Sequence, residues 1–348
     1  MITMEKTALI NTACKDLMSY GVWNQTARLK NSIKKIMKRP GAAAEDLIFW
    51  PTGLLAHGLW QCRKEPGTER QVEEALASYF VRWQKKGMPV YYLDDLLYGE
   101  TLLDSYLSEE AEQDREKYRK AVDKMADFAM QYPLNEIGSF PYRASLKKAY
   151  VFVDGIGLAC PFLYRYGMVF DRQEYMELAV KQIANFLAYG MDTATGLPYH
   201  GYDVSDGCKY GIIGWGRAVG WLLRGMSACL QTEYGRERLM KPYREMMDAI
   251  LAYQHQDGYF SWQLQAMDGP SDTSATGMIC CVLKQGIEQG ILTEDKYEQA
   301  LQAGINAIKR AVKDGRVYQC SGECLDFAQY PQRYGAYPWS LGPALEVL

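Results

Sequence analysis

Histidine is scarce in this chain: three in 348 residues, His57, His200 and His255. So few leave little from which to build a multi-histidine metal centre. The nine cysteines are an odd number and scattered, and Cys320 and Cys324 of "CSGEC" have no second pair to complete a zinc site. They read as reduced, buried small hydrophobes rather than a disulfide frame. No apolar run approaches the roughly 20 residues of a membrane span. Net charge is −3 with both signs interspersed, and without a basic stripe no nucleic-acid partner is expected. Glycine-rich phosphate loops and the G-x-S-x-G elbow of serine hydrolases are missing. The N-terminal stretch "MITMEKTALINTACKDLMSYGVWNQ" has neither a basic start nor a continuous apolar core, so a signal peptide is not expected and a cytoplasmic location is.

What the chain has in quantity is aromatic side chains: 26 Tyr, 8 Trp and 10 Phe. Such rings either fill a core or offer flat platforms to the C–H faces of sugars. Apolar residues recur at three- and four-residue steps, which predicts helices nearly throughout.

Six segments are poor in charge and rich in Gly, small and aromatic residues: 49–62, 95–107, 154–167, 215–230, 271–287 and 337–348. Between them lie charged amphipathic segments: 68–86, 109–132, 171–190, 235–254 and 293–313, with residues 4–37 supplying a further one. A helix surrounded by others needs no polar face, whereas an outer one does. The alternation therefore predicts an all-α fold, six helical hairpins in an (α/α)6 barrel, as a single domain over residues 1–348. An open superhelical stack is the alternative. Either architecture gathers the starts of the inner helices at one end, where Trp50, Asp94, Asp95, Asp154, Trp215, Asp272 and Tyr337 fall.

The charge in "AYVFVDGIGLACPFLYRYG" (149–167) needs a reason. Asp154 is either a helix N-cap or a working acid beside Phe152 and other apolar side chains. Partial desolvation would raise its pKa, the helix dipole would lower it, and a second anion nearby would restore it. Asp94 or Asp95 of "YYLDDLLYG" offers that anion, the other being a cap. Paired carboxyl groups of unlike pKa are the pattern of sugar hydrolases. His200 lies in a Gly- and Tyr-rich loop, "GLPYHGYD", ahead of "GWGRAVGW". There Arg217 either grips a planar anion or pairs with an acidic residue, and Trp215 and Trp221 either stack on a sugar or belong to the core.

At these residues the chain resembles the unsaturated glucuronyl and rhamnogalacturonyl hydrolases of glycoside hydrolase families 88 and 105, more closely 105. The resemblance runs over residues 40–348 and is carried by "FVDGIGLACPFLYRYG" and "WGRAVGW", with weaker support from "LDDLLYG", "YHGYD" and "DTSATGMI". It implies the (α/α)6 barrel, no cofactor or metal, and action on a short oligosaccharide ending in a Δ4,5-unsaturated uronyl residue. The enol ether is hydrated: an Asp protonates C4, water adds at C5, and the hemiketal opens to expel the remaining sugar. By this resemblance Asp154 matches the acid and Asp94 the second aspartate. His200, Arg217, Trp215 and Trp221 match groups that hold the sugar.

Phe152 stands where the family usually has Trp, Tyr142 or Arg143 where it has His, Ala218 and Val219 where it has Gly-Asn, and Thr52 where Tyr is common. Phe152, Tyr142, Arg143 and Trp50 complete the expected sugar-binding shell, in a monomer or homodimer. The competing readings are a barrel that hydrolyses saturated glycosides and a non-catalytic carbohydrate-binding relic.

Overall fold

The computed structural model describes residues 4–19, 48–109, 111–144, 149–325, 327 and 329–348. These contain twelve α-helices in two rings. The inner helices are α2 (Trp50–Gln61), α4 (Tyr98–Ser108), α6 (Val153–Val169), α8 (Gly216–Cys229), α10 (Thr273–Glu288) and α12 (Pro338–Val347). The outer ones are α1 (Met4–Ser19), α3 (Glu69–Lys85), α5 (Glu112–Gln131), α7 (Gln173–Tyr189), α9 (Glu233–Leu251) and α11 (Asp295–Arg310). The outer segment expected over 4–37 is thus helical over 4–19, and its remainder lies outside the described residues.

The division follows from side-chain pattern. On α11 the buried residues are Tyr297, Ala300, Leu301, Gly304, Ala307 and Ile308, one stripe at three- and four-residue steps. On α10 every residue from Thr273 to Leu283 is buried, as a helix enclosed by neighbours requires.

The ring closes because α12 packs against α2. The two backbones touch at Gly58 and Gly342: a Cβ on Gly58 would stand 2.3 Å from the Gly342 carbonyl oxygen. Any side chain there would force the first and last inner helices apart. The barrel is therefore closed, and the open stack is excluded.

Along the axis, Leu54, Leu97, Leu158, Trp221, Met278 and Trp339 form a buried apolar plug together with Cys320. The plug draws on all six inner hairpins, Leu97 coming from the 3-10 turn Leu93–Leu97 that leads into α4. Each large apolar side chain buried this way contributes about 1.5–3 kcal/mol. One cavity lies among the starts of the inner helices, and a second, more charged one is lined by His57, Arg165, Arg224, Lys284 and Glu346 from the C-terminal halves of inner helices and by Glu100 from the first turn of α4.

Short β-structure trims the N-terminal end. Strands β1 (Val151–Phe152), β2 (Gly201–Asp203) and β3 (Cys208–Tyr210) form an antiparallel sheet with Phe152 opposite Gly201. That register brings His200 to the first turn of α6. Hairpin β4 (Val312–Lys313) and β5 (Arg316–Val317) follows α11. A second hairpin, β6 (Cys320–Ser321) and β7 (Tyr334–Gly335), precedes α12. No helix among the described residues is long and apolar enough to cross a membrane.

Candidate active site

The cavity among the inner-helix starts measures about 210 Å³. Its lining includes Trp50, Asp94, Tyr142, Arg143, Phe152, Asp154, His200, Trp215, Arg217 and Trp221. These ten, the residues expected to act on or bind the sugar, thus meet at one place, although they come from segments as far apart as α2 and α8; Asp95, Asp272 and Tyr337 do not line it.

Asp154 is not the cap of α6. Phe152 occupies the N-cap position, and the carboxylate, one turn-residue inside the helix, faces a side chain instead: Oδ2 lies 3.1 Å from His200 Nε2. His200 is 2% exposed, and its Nδ1 lies 2.9 Å from the Tyr330 hydroxyl. With neutral imidazole, Nε2–H donates to Asp154 and Tyr330 donates to Nδ1. With the proton on Asp154, Nε2 accepts and Nδ1–H donates to Tyr330. The Asp154–His200–Tyr330 chain satisfies both protonation states without moving a heavy atom.

Of the two adjacent aspartates, Asp94 faces the cavity. Asp95 Oδ2 accepts from the Tyr91 and Tyr92 backbone N–H groups at 2.7 and 3.1 Å, so it closes the turn ahead of the 3-10 helix. Asp94 is held by Arg143, whose Nη1 and Nη2 donate to Oδ1 and Oδ2 at 3.1 and 3.0 Å. This bidentate pair is geometrically matched. The guanidinium also lies against the rings of Tyr92 and Tyr142, 4.6 and 4.2 Å from their centroids. Asp94 therefore reaches the cavity already neutralised, and is not the free second anion the sequence suggested.

Tyr142 stacks on Phe152, with ring centroids 4.5 Å apart and 4° between planes. Burial, then the charges of Asp94 and Asp154, push its phenol well above its ordinary pKa. It stays a hydrogen-bond donor between the two carboxyl groups. Tyr142 and Arg143 thus act together: one ring stacked on Phe152, one cation on Asp94.

Arg217 is 2% exposed. Its Nη1 donates to Ser274 Oγ, the Ser321 carbonyl and Ser321 Oγ, and its Nη2 to the Gly322 carbonyl at 2.7 Å. Asp272, the N-cap of α10, lies 3.9 Å away and itself accepts from Ser274 and Ser321. These contacts fasten strand β6 to the starts of α8 and α10. Arg217 walls the cavity while these donors bind the protein's own backbone and side chains.

Trp215 and Trp221 are 3% and 2% exposed. Trp215 lies under the His200 ring, 4.7 Å between centroids. Trp221 belongs to the axial plug and meets Trp50 edge-on at 6.3 Å. They form wall and floor, and the half-buried Trp50, Tyr142 and Phe152 are the more accessible rings. Tyr337, expected near this site, instead stacks on Trp339 at 4.5 Å.

The sequence reading missed the segment after β6. Glu323, Cys324 and Leu325 line the cavity, and Phe327 packs 4.2 Å from Phe152, centroid to centroid. Cys324 Sγ lies 3.9 Å from His200 Nδ1. The available signal was position: this segment precedes an inner helix, as "GLPYHGYD" does. Among the described residues no cluster of three or more metal-ligating side chains forms.

Comparison with known proteins agrees with this architecture. The sequence model described as Glycosyl Hydrolase Family 88 matches residues 24–345. The unsaturated rhamnogalacturonyl hydrolase YesR of Bacillus subtilis (strain 168) is 25% identical over 287 residues, spanning 78% of this chain and 78% of that protein. Among solved structures, a possible member of family GH105 from Klebsiella pneumoniae superposes with a TM-score of 0.83 at 17% identity, over 100% of this chain and 92% of the other. The unsaturated glucuronyl hydrolase of Bacillus sp. GL1 superposes with a TM-score of 0.70 at 16% identity, over 97% and 95% of the two chains. With the closed double ring and the clustered cavity in place, the chain is a glycoside hydrolase and belongs to Glycosyl Hydrolase Family 88.

Proposed function

We propose that this enzyme removes a Δ4,5-unsaturated uronyl residue from short oligosaccharides by hydrating its enol ether, with Asp154 as proton donor and acceptor. The observation that carries the reading is the Asp154 carboxyl group backed by His200 and Tyr330 in an aromatic cavity. The names of similar proteins, which refer to unsaturated rhamnogalacturonyl and glucuronyl hydrolases, support it.

In this reading the Asp154 carboxyl proton goes to C4, and the C4–C5 π pair forms the new C–H bond. The positive charge at C5 is shared with the ring oxygen. Water then adds to C5 and returns its proton to the Asp154 carboxylate, assisted by the His200 imidazole. The hemiketal opens to a C5 ketone, and the freed hemiacetal at C1 collapses to release the next sugar. Asp94 and Arg143 accept from and donate to sugar hydroxyls. Tyr142, Phe152 and Trp50 cover the ring faces, and the buried tryptophans exclude bulk water.

The test follows the ultraviolet absorbance of the conjugated enol ether with a panel of lyase-generated disaccharides. Wild type should bleach at least one of them, while Asp154→Asn, which keeps the shape without the donated proton, should be slower by at least ~10³-fold. Consumption at the wild-type rate by Asp154→Asn would remove the assignment.

A further inference from the structure

A uronide is an anion, yet among the described residues the two guanidinium groups that line the cavity already have partners within the protein. No lysine lines it. Arg143 is bidentate to Asp94, and Arg217 is engaged by Ser274, Ser321 and Gly322 with Asp272 behind it. Three carboxyl groups, those of Asp94, Asp154 and Glu323, face these two guanidinium groups. Bringing in a fourth carboxylate is unfavourable unless one of the three gives up its charge.

The three are not equivalent. Asp94 has Arg143, which holds a carboxylate. Asp154 has His200 and supplies the reacting proton. Glu323 has no hydrogen bond or ion pair with any described residue. It stands at the rim on the segment that Arg217 fastens through Ser321 and Gly322, so its backbone is fixed while its side chain is uncommitted. The residue is exposed on its outer side; toward the cavity, desolvation raises its pKa, Arg217 opposes this, and the Asp94 charge adds to the rise. The other titratable groups around it are Asp154 on α6, His200 beside β2, Tyr142 and Arg143, and its neighbour Cys324. Across the hairpin stand the exposed Arg333, which makes no ion pair with it, and Tyr334.

We propose that Glu323 is a specificity-determining residue that meets the substrate's carboxylate in protonated form, donating its O–H to that anion. The proposal rests on the uronide reading above. It gives Glu323 a role that a neutral sugar would not need. Binding then carries a proton onto the enzyme wherever Glu323 is ionised beforehand, so KM for the uronide rises as pH climbs through the Glu323 titration. Glutamine at this position is a permanent donor with no proton to lose.

Two measurements test this. The first is KM against pH for an unsaturated uronyl disaccharide and for its methyl ester. Wild type should show a rising KM for the acid and a flat one for the ester. Glu323→Gln should be flat for both. Glu323→Ala should raise KM for the acid roughly tenfold with kcat retained, the loss expected for one hydrogen bond to a charged group. The second is calorimetric binding of the disaccharide to Asp154→Asn in buffers of differing ionisation heat. A proton should be taken up above the Glu323 titration, and the Asp154→Asn/Glu323→Gln double variant should take up none. If wild type consumes the disaccharide but Glu323→Ala leaves its KM unchanged, or the double variant takes up the same proton, the role of Glu323 falls alone. If the disaccharide is neither consumed nor bound, the uronide reading falls with it.

Discussion

His200 Nε2 lies 3.1 Å from Asp154 Oδ2 because β2 pairs with β1, setting Gly201 opposite Phe152 immediately before α6. A two-residue strand thus aligns a loop imidazole with the first turn of an inner helix. The far side of the ring is held by the Tyr330 hydroxyl at 2.9 Å, from a segment 130 residues further along the chain. The dyad is oriented from both sides.

On the proposed mechanism, replacing His200 by Ala should lower kcat by roughly 10²–10³-fold, since Asp154 loses the imidazole that orients it and assists the return of a proton from water. KM should change far less. Tyr330→Phe removes only the hydroxyl behind the ring and should cost less than His200→Ala. The check is steady-state kinetics on the disaccharide identified by the absorbance panel. Equal rates for His200→Ala and wild type would reduce His200 to a structural loop residue.

Arg217 makes a prediction about stability as much as about rate. Arg217→Met would leave Asp272, 0% exposed, without the cation beside it and would unlatch β6. Breaking one side of a buried charge pair costs about 3–5 kcal/mol. Thermal unfolding should show a clear fall in Tm. Arg217→Lys keeps the charge but cannot reproduce donation to Ser274, Ser321 and Gly322 together. It should lose activity while remaining folded, because β6 and the cavity wall that follows it are no longer fastened to α8 and α10. A folded Arg217→Lys enzyme with wild-type turnover would show that the latch is dispensable.

Cys324 should be the thiol whose modification stops turnover. It lines the cavity against His200, whereas seven other cysteines are buried. Burial pushes thiols such as Cys14 and Cys280 up to about 12, so they present almost no thiolate at neutral pH. Cys208 is exposed on β3 and should be labelled without consequence. Iodoacetamide should inactivate wild type, substrate should slow the loss, and Cys324→Ser should be active and resistant. Inactivation of Cys324→Ser at the wild-type rate would place the sensitive thiol elsewhere.

The double ring was legible because burial leaves a trace in composition. Inner helices lose their charges and outer helices keep one stripe, and α10 and α11 show both patterns cleanly. Helix starts were legible for the same reason, so residues placed at them, such as Asp94, Asp154 and Trp50, were found. The resemblance to known sugar hydrolases added the choice of Asp154 and Asp94 among the acids.

Partner choice was not legible. Whether Asp94 or Asp95 faces inward depends on two backbone N–H groups meeting Asp95. The neutralisation of Asp94 depends on Arg143, 49 residues away in sequence, and the commitment of Arg217 depends on a hairpin 104 residues away.

By itself the sequence determined the helices, their inner or outer rank and the end of the barrel where the candidate site residues gather, since these follow from local periodicity and from which side chains avoid water. Only the tertiary structure decided that the ring closes at Gly58 and Gly342, which carboxyl groups are paired, and that Glu323 shares the cavity. Hydrogen bonds and ion pairs form over about 3 Å between chain-distant groups, and local periodicity carries no record of such distances.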